Sequence, residues 1–482
     1  MNSNLPDLVH NPKLRIGNDW VTTQVTFSVL NPATGQIITH VPQGDADVVS
    51  KATAAAYQTF LSNRNTPAHL RSSRLAALAA QIEVRSDDFA ALIVAEAGKP
   101  IALARIEVQR AILTFRLAAE EARHQQGGLL DLDATPAGNA HFGITRRFPL
   151  GPIAAITPFN FPLNLVAHKV APALAAGNTV VLKPSPRTPL TALLLAEAVH
   201  AAGFPPGSLN VITCPNELVP GWVADPRIRM VSFTGSATVG WSLQAQAAGK
   251  RCTLELGGNA IVVLHSDADI EQAIPLITTG AFAYAGQTCV SVQRVLIHES
   301  IYAQTRERLV KHTRDSVRSG DPLDPSVLVG PMIDRVSVSR TITRIDAAVQ
   351  AGARILVGGS AKGQFLEPTI LEDVPETCEL CCEEAFAPVL VLESYNDFAE
   401  VVQKVNGSRY GLQTGIFTRD FSLAWNAFQN LEVGAVLVNQ IPTWRVENMP
   451  YGGVKSSGLG REGIQAAMEE MSEPRLWIWK TS

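Results

Sequence analysis

From Gly151 onward, short apolar runs rich in β-branched residues alternate with segments of helical character. The runs include GPIAAIT, NTVVLK, SLNVIT and IRMVSFTG, and their centres are continuously apolar instead of alternating with polar residues. Such strands are typical of parallel sheets that helices cover on both faces, so the pattern predicts a doubly wound α/β domain. A second series, which includes AIVVLH and RVLIHES, predicts another α/β domain that begins near Gly257.

The chain length agrees with two large domains. With 482 residues, the chain exceeds the roughly 250 to 300 residues at which single hydrophobic cores stop growing. Between Pro67 and Gln125, apolar and charged residues recur at helical spacing. This segment is therefore expected to form amphipathic helices that cover one side of a sheet.

The charge pattern argues against several classes of partner. The formal net charge is −4, the isoelectric point is near 6.2 and no basic stripe is present, so we expect no nucleic-acid partner. The first residues lack the basic and apolar regions of a signal peptide, and no charge-poor apolar run reaches about 18 residues. We therefore expect a cytoplasmic protein that does not span a membrane.

The cysteines indicate free thiols. Six cysteines in a chain of this length are too sparse for a disulfide framework, which agrees with a reducing compartment. Cys378 and Cys381 have the spacing of half a zinc site, but no second Cys or His pair lies at a suitable distance. We expect no metal ion.

A glycine-containing segment that follows a strand is the best candidate for binding phosphate. The glycines of SGLGREG at 458–463 match G-x-G-x-x-G, but no apolar strand precedes them, so an ordinary turn is the favoured interpretation. In FTGSATVG, the apolar strand Met230–Phe233 leads into Gly235 and Ser236 and then into a helix. The free N–H groups at the start of that helix would face an anion.

Three further segments contain polar residues that a bland loop or strand would not need. Asn160 in ITPFNFPLN is either a turn residue or an amide donor to a developing oxyanion. Glu255 in TLELGGN is either a strand residue that faces solvent or, in an apolar setting, a general base with a raised pKa. Cys289 follows a Gly-Gln-Thr turn, an unusual place for a structural cysteine, and is a candidate nucleophile.

These segments belong to a larger set that resembles the aldehyde dehydrogenase superfamily. The set comprises NPATG, EAGKP, TPFNFPLN, GNTVVLKPS, FTGS, LELGGN, GQTC, EEAFAPV and MPYGGVKSSGLGRE, in the order and at the separations of that family. The resemblance extends over nearly the whole chain. It implies oxidation of an aldehyde to a carboxylic acid with NAD+ or NADP+, through a thiohemiacetal and a thioester on a cysteine.

The resemblance implies catalytic roles for four residues. Cys289 would be the nucleophile, and Glu255 would be the base that activates water to hydrolyse the thioester. Asn160 would donate a hydrogen bond to the oxyanion, together with the backbone N–H of Cys289. Lys169 would support this site.

The resemblance also implies a cofactor site. Lys183 and Glu384 would hold the cofactor riboses, Gly235 and Ser236 would face the pyrophosphate, and Phe386 would pack near the nicotinamide ribose. The complete set of expected cofactor contacts is Thr157, Pro158, Phe159, Lys183, Ser185, Pro186, Gly235, Ser236, Val239, Glu255, Leu256, Gly257, Glu384 and Phe386.

Two positions depart from the common pattern of the family. Many NAD-specific members have a glutamate three residues after the ribose-binding lysine, whereas this chain has Pro186, followed by Arg187. The carboxylate that would exclude a 2′-phosphate is missing, so we predict that NADP+ is at least tolerated. Ala387 replaces the usual glycine of EEAFAPV, which affects only the fine geometry of the cofactor site.

The segment NQIPTWRVENMPYGG indicates a substrate class. Its Arg445 would lie beside the aldehyde tunnel, and the segment looks most like members that act on lactaldehyde, succinate semialdehyde or phosphorylated aldehydes. We therefore expect a short aldehyde with an anionic or hydroxylated tail, which a guanidinium could bind bidentately. The alternative is that Arg445 forms a salt bridge in its loop. The complete set of expected substrate contacts is Phe161, Arg110, Arg294, Arg445 and Tyr451.

The resemblance further suggests domain boundaries. The expected ranges are 1–131 and 150–256 for an NAD(P)-binding domain, 257–460 for a catalytic domain, and 132–149 with 461–482 for a small β oligomerisation element. The segments 141–147 and 475–480 look like exposed strands, so we expect a homodimer or homotetramer.

Two other functions remain open. They are acyl transfer to coenzyme A, which Glu255 disfavours, and a silent binding protein, which the intact Cys289 and Asn160 disfavour.

Overall fold

The computed structural model describes residues 5–124, 127–247 and 249–481. Residues 1, 125 and 482, which bound segments predicted from the sequence, lie outside the described ranges. The strands of the described residues form two large sheets, one three-stranded sheet and two hairpins. The expected α/β fold with a doubly wound parallel sheet, a second α/β domain and a small β element is confirmed.

The first unit is built on an eight-stranded sheet with the strand order β2-β1-β9-β8-β7-β10-β11-β21. Its strands are β1 Leu14–Ile16, β2 Asp19–Val21, β7 Ile153–Ile156, β8 Val180–Lys183, β9 Leu209–Val211, β10 Met230–Thr234, β11 Arg251–Glu255 and β21 Gly458–Leu459. The strands from β9 to β11 run parallel, and β7, β8 and β10 are buried along their whole length, as their continuous apolar runs predict.

The strand order of this sheet reverses beside β7. The chain proceeds from β7 through β8 to β9 on one side, and β10 and β11 lie on the other side. In open α/β sheets, ligands bind at the carboxyl ends of the strands where the order reverses. The segments that follow β7 and β10 are therefore placed to form a site.

Helices pack on both faces of the first sheet. They are α1 Ala46–Asn63, α2 Ala68–Val84, α3 Ser86–Ala97, α4 Ile101–Glu121, α5 Asn164–Ala176, α6 Leu190–Ala201, α7 Val219–Ala224, α8 Ala237–Gln246 and α15 Ile464–Glu470. The helices predicted between Pro67 and Gln125 are α2, α3 and α4.

The second unit is a seven-stranded sheet with the order β14-β17-β18-β13-β12-β19-β20. Its strands are β12 Ala260–Leu264, β13 Val292–His298, β14 Arg354–Val357, β17 Thr369–Glu372, β18 Val389–Tyr395, β19 Gln413–Phe417 and β20 Ala435–Val438. Its helices are α9 Ile270–Phe282, α10 Glu299–Ser316, α11 Arg335–Gln350, α12 Glu379–Cys382, α13 Phe398–Gly407 and α14 Phe421–Asn430. The two hairpins are β3 Thr26–Leu30 with β4 Ile37–Pro42, and β15 Ala361–Lys362 with β16 Phe365–Leu366.

The small sheet includes residues from both segments expected for oligomerisation, together with the preceding strand. It consists of β5 Gly127–Asp131, β6 His141–Pro149 and β22 Ser472–Lys480, with β6 in the middle. It therefore begins before residue 132, because β5 pairs with β6 along its whole length. In addition, α15 packs against α5, and β21 pairs with β11, so both contact the first unit.

Candidate active site

The predicted polar segments lie together at one edge of the first sheet. Thr157 follows β7, Lys183 ends β8, Gly235 follows β10 and Glu255 ends β11. These four strands are parallel neighbours, so their carboxyl ends meet at the same edge. The backbone N–H of Thr157 donates to the carbonyl of Lys183 over 3.2 Å, and that of Gly235 donates to the carbonyl of Glu255 over 3.1 Å.

Cys289 lies on a tight loop between α9 and β13. The loop begins with Tyr284 and Ala285, whose φ angles of 53° and 55° fall in the left-handed region that residues with a Cβ disfavour. The Gln287 side chain stabilises the loop, because its amide donates to the carbonyls of Tyr284 and Pro331 over 3.2 and 3.3 Å. A structural scaffold of this kind fixes the position of the thiol.

The Cys289 thiol faces polar groups from both large units. Its Sγ lies 2.9 Å from the Oη of Tyr451, a residue that is 3% exposed. Burial and the nearby Glu255 raise the pKa of Cys289 well above its usual value. Burial also raises the pKa of Tyr451, so its hydroxyl stays protonated and can donate to sulfur. The thiol is therefore the stable form here, and its deprotonation needs a base.

Glu255 is the nearest candidate for that base. Its side chain is buried and interacts with the Cys289 thiol, and apart from this contact neither carboxylate oxygen has a hydrogen-bond partner among the described residues. Burial, reinforced by the nearby carboxylate of Glu462, raises the pKa of Glu255 to about 8. A carboxyl group that titrates near neutral pH suits general base catalysis.

Asn160 retains one amide hydrogen for a ligand. It is 3% exposed, and its Nδ2 donates to the carbonyl of Gln287 over 3.0 Å. A carboxamide nitrogen has two hydrogens, so the second remains available to an oxyanion near Cys289. The same contact joins the loop after β7 to the loop of Cys289.

Glu462 connects two buried cations beside the thiol. Its Oε1 accepts from the Nζ of Lys169 over 3.1 Å, and its Oε2 accepts from the Nη2 of Arg445 over 3.3 Å. Lys169 also donates to the Oγ of Ser232. Burial opposes ionisation of Glu462, but these cations outweigh it and lower its pKa to about 2. The sequence analysis did not single out Glu462, although it closes the quoted segment MPYGGVKSSGLGRE.

Arg445 lies inside the site and not in solvent. Its guanidinium carbon is 3.8 Å from the centroid of the Tyr451 ring, and its side chain is 8% exposed. Its Nε is buried and has no hydrogen-bond partner in the part of the chain that the structure describes. Arg445 is therefore a candidate for binding an anionic group next to Cys289.

The other two candidate arginines have carboxylate partners. The Nε of Arg110 donates to Oε1 of Glu447 over 2.5 Å, and Oε2 of Glu447 lies 2.5 Å from Nε2 of His168. Arg294 donates to both carboxylate oxygens of Glu393, over 2.6 and 2.9 Å, and both side chains are less than 10% exposed. Arg294 thus forms a bidentate ion pair within the second sheet, and its contact with the substrate stays a prediction.

His168 and Glu447 are site residues that the sequence analysis missed. Both are buried, and Nδ1 of His168 has no hydrogen-bond partner among the described residues. Burial and the nearby Arg445 lower the pKa of His168. A histidine within an apolar helix gives no signal in the sequence, because it looks like a core residue until its partners are known.

Two of the expected cofactor contacts, Lys183 and Glu384, have polar partners in the structure. Lys183 donates from Nζ to Oδ1 of Asn216 over 3.1 Å, and burial lowers its pKa. The backbone N–H of Gly258 donates to Oε1 of Glu384 over 3.3 Å, and a Cβ on Gly257 would lie 2.3 Å from Oε2 of Glu384. The glycine is therefore needed for the carboxylate to approach the end of β11.

The remaining cofactor candidates differ in exposure. Phe159 and Phe386 pack edge to face with centroids 5.9 Å apart, and Phe386 has a φ of 49°. Ser236, which precedes α8, and Val239 on its first turn are exposed, whereas the side chain of Leu256 is buried against Gly240. Of the other candidates, Pro158 and Ser185 are half-buried, and Pro186 is exposed.

The family model for aldehyde dehydrogenases matches residues 20–476 of the chain. The chain belongs to the aldehyde dehydrogenase family. It is 40% identical over 466 residues to 3-sulfolactaldehyde dehydrogenase of Priestia aryabhattai, which covers 96% of this chain and 97% of that relative.

Solved aldehyde dehydrogenases have the same fold. Aldehyde dehydrogenase 21 of Physcomitrella patens, in complex with the reaction product succinate, is 37% identical with a TM-score of 0.95, covering 97% of this chain and 98% of that one. NADP-dependent glyceraldehyde-3-phosphate dehydrogenase of Bacillus halodurans, complexed with NADP, is 33% identical with a TM-score of 0.95, covering 98% and 100%.

Family membership establishes the reaction class. The chain is an NAD(P)-dependent oxidoreductase that oxidises an aldehyde to a carboxylic acid, as the sequence predicts. Within the described ranges, no helix is long and apolar enough to cross a membrane, and no group of three or more His, Cys, Asp or Glu side chains could hold a metal ion.

Proposed function

We propose that this aldehyde dehydrogenase oxidises a short aldehyde with an anionic or hydroxylated tail through a covalent intermediate on Cys289. One observation carries the proposal most directly. The half-buried thiol has two charged neighbours, the carboxylate of Glu255 and Arg445, whose buried Nε has no hydrogen-bond partner among the described residues. The first group supplies the base that the chemistry needs, and the second supplies a cation for the tail.

Acylation begins when Cys289 loses its proton. Glu255 titrates in the pH range where it can accept that proton, and Tyr451 can donate a hydrogen bond to the thiolate. The thiolate adds to the aldehyde carbon, and the free amide hydrogen of Asn160 stabilises the oxygen as it becomes negative. Loss of one such donor in comparable sites reduces the rate about 100- to 1,000-fold.

The residues around the cleft fit a dinucleotide cofactor. Lys183 is buried at the carboxyl end of β8, and Glu384 is half-buried in the loop between α12 and β18 beside the backbone of Gly258, where both can hold ribose hydroxyls. The start of α8 has no side-chain cap, so its N–H groups can face a pyrophosphate next to Gly235 and Ser236. A nicotinamide bound here would supply the hydride acceptor that oxidation of the aldehyde needs.

Glu255 completes the reaction by activating water against the thioester. Water is a poor nucleophile without a base, and a positioned base contributes about 100- to 10,000-fold. Lys169 stays paired with Glu462, so it maintains the charge balance of the site without taking the proton. The presence of Glu255 disfavours transfer of the acyl group to coenzyme A.

The substrate class rests on Arg445. The relatives of this chain include 3-sulfolactaldehyde and lactaldehyde dehydrogenases, whose names describe short aldehydes with polar tails. The Nε of Arg445 can donate to a carboxylate, sulfonate or phosphate oxygen while Nη2 stays with Glu462. Arg110 and His168 are held together by Glu447 and can contribute the far wall of the same pocket.

The experiment that tests this class compares substrates in one variant. Arg445→Ala should raise KM for an anionic aldehyde about 10- to 100-fold more than it raises KM for propanal, or roughly 1.4 to 2.7 kcal/mol of selectivity, beyond any loss common to both from the broken pair with Glu462. Arg445→Lys is the matched control, because it keeps the charge beside Glu462 but loses the planar fork. Equal losses on both aldehydes would mean that Arg445 supports the site without selecting the tail.

The proposal also covers the oligomeric state and the cellular location of the protein. On β22, Leu476, Trp477, Ile478 and Trp479 are each 51–53% exposed, which favours burial against another subunit in a homodimer or homotetramer. The boundaries of the NAD(P)-binding, catalytic and oligomerisation regions, and a cytoplasmic location, are part of the same proposal.

A further inference from the structure

A buried ammonium group lies between two aromatic rings below the active site. The Nζ of Lys99 is 3.5 Å from the centroid of the Phe161 ring and 4.6 Å from that of Tyr284, and the residue is 1% exposed. Burial lowers the pKa of Lys99 to about 8, while the adjacent Glu107 favours the charged form. The ammonium is therefore the main species at neutral pH.

The two rings belong to the two loops that carry the reacting groups. Phe161 directly follows Asn160 after β7, in the first unit, whereas Tyr284 opens the loop of Cys289, in the second unit. Asn160 and the Cys289 loop also meet at the catalytic end, through the hydrogen bond to Gln287. Lys99 thus makes a second connection between the same two loops, at Phe161 and Tyr284 instead of at Asn160 and Gln287.

The loop of Cys289 needs external support at Tyr284. The left-handed backbone of Tyr284 and Ala285 is disfavoured for side chains with a Cβ, so the surroundings must hold it. The Tyr284 hydroxyl donates to the carbonyl of Ala97 over 3.0 Å, and its backbone N–H donates to the carbonyl of Leu328 over 2.9 Å. The turn that contains Lys99 therefore holds both the hydroxyl and the face of this ring.

Glu107 extends the connection to the start of α5. Its Oε2 pairs with Lys99, and its Oε1 accepts the backbone N–H groups of Leu163 and Asn164 over 2.9 and 3.1 Å. Because these donors follow Asn160 closely, the ion pair fixes the direction in which the chain leaves the loop. Replacing only one partner would leave a buried charge unpaired and destabilise the fold.

We propose that Lys99 is a positioning residue that aligns Asn160 with Cys289 through simultaneous contacts of its ammonium with Phe161 and Tyr284. This inference rests on the roles proposed above for Asn160 and Cys289. A cation is attracted to the face of a ring, so both rings must turn their faces toward it. A small displacement of either loop would separate the oxyanion donor from the thiol, and displacements of about 1 Å can reduce rates about 100-fold.

The first test removes the charge and keeps the volume. In Lys99→Met/Glu107→Gln, the first-turnover rate of NAD(P)H formation should fall about tenfold or more. The Kd for the cofactor should stay within about twofold of the wild-type value, because other residues hold the riboses and pyrophosphate. Lys99→Arg should retain most of the rate, because guanidinium also binds ring faces. Equal impairment of Lys99→Arg, or full activity of the double variant, would overturn the proposal.

The second test removes one ring and keeps the buried pair. Tyr284→Leu should lower the first-turnover rate, whereas Tyr284→Phe keeps the ring and should lower it less. Combining Tyr284→Leu with Lys99→Met/Glu107→Gln should give little further loss, because the same contact is already absent. Losses that multiply would show independent effects and contradict the proposal. If Lys99→Met/Glu107→Gln does not fold, the comparison of Tyr284→Leu with Tyr284→Phe decides the question, and equal losses in these two variants would contradict the proposal.

Alkylation of Cys289 by iodoacetamide separates this inference from the proposed function. The reaction reports on the thiol in the absence of substrate and cofactor. In Lys99→Met/Glu107→Gln and Tyr284→Leu, the rate of alkylation should differ from that of the wild type, while the circular dichroism spectrum should stay unchanged. An inactive wild-type enzyme that reacts normally with iodoacetamide would contradict the proposed function. An active wild type whose variants match it in both alkylation and first turnover would contradict the role of Lys99.

Discussion

Replacing Glu255 with glutamine should separate the two halves of the reaction. The substitution keeps the size and one oxygen of the side chain but removes the charge and the basicity. Glu255 also raises the pKa of Cys289, so its neutral replacement should make the thiolate easier to form by direct ionisation. Acylation should then proceed without Glu255 as the proton acceptor, more slowly than in the wild type but still as a measurable burst. Hydrolysis of the thioester loses its base and should slow about 100- to 10,000-fold.

The pKa of Glu255 sets the size of the pH effect. With a pKa of about 8, only about a tenth of Glu255 is ionised at pH 7, and the fraction falls about tenfold for each further unit. Where hydrolysis limits turnover, kcat in the wild type should therefore rise about tenfold per pH unit below pH 7 and level off above about pH 8. Glu255→Gln should lose this slope.

Stopped-flow absorbance of NAD(P)H provides the measurement. Glu255→Gln should give a burst of about one equivalent per active site and then a slow steady state, and mass spectrometry should find an acyl group on Cys289. Wild-type enzyme and Cys289→Ser serve as controls. A variant without a burst or an adduct, or one that keeps the pH slope of the wild type, would refute the assignment of the base.

Other outcomes follow from the same site. Cys289→Ala should abolish NAD(P)H formation and keep cofactor binding measured by calorimetry, because the hydride leaves only after the thiol has added; substantial turnover would contradict the covalent route. The preference for NAD+ over NADP+ in kcat/KM should stay below about a thousandfold, roughly 4 kcal/mol, because Pro186 supplies no carboxylate against a 2′-phosphate. Light scattering at micromolar concentration should give a dimer or tetramer, because β22 exposes four large apolar side chains; a monomer would count against this prediction.

The sheets could be predicted because their signals are local. Strands such as β7 and β8 are buried on both faces, so each is an apolar run that can be recognised from a few residues. The exact membership of the sheets depends on contacts between distant segments. The pairing of β21 with β11 joins residues about 200 positions apart, and the short strand Gly458–Leu459 carries no signal for it.

The proposed reacting groups could be predicted for a similar reason, whereas the buried residues around them could not. Asn160, Glu255 and Cys289 stand out from their own segments, where a polar side chain or a thiol follows an apolar run or a turn. His168 and Lys99 lie in helical or turn sequences of ordinary appearance. Their importance comes from burial and from partners that reach them from other parts of the chain.

The three arginines expected near the substrate illustrate this dependence. A guanidinium has five N–H donors, and its capacity to bind an anion depends on how many remain free. Arg294 gives two donors to Glu393, and Arg110 gives its Nε to Glu447. Arg445 shares Glu462 with Lys169 and keeps Nε without a partner in the described residues. The carboxylates that pair with these arginines lie up to about 340 residues away in sequence, so only the folded chain shows that Arg445 is the one of the three with a buried, unpaired Nε among the described residues.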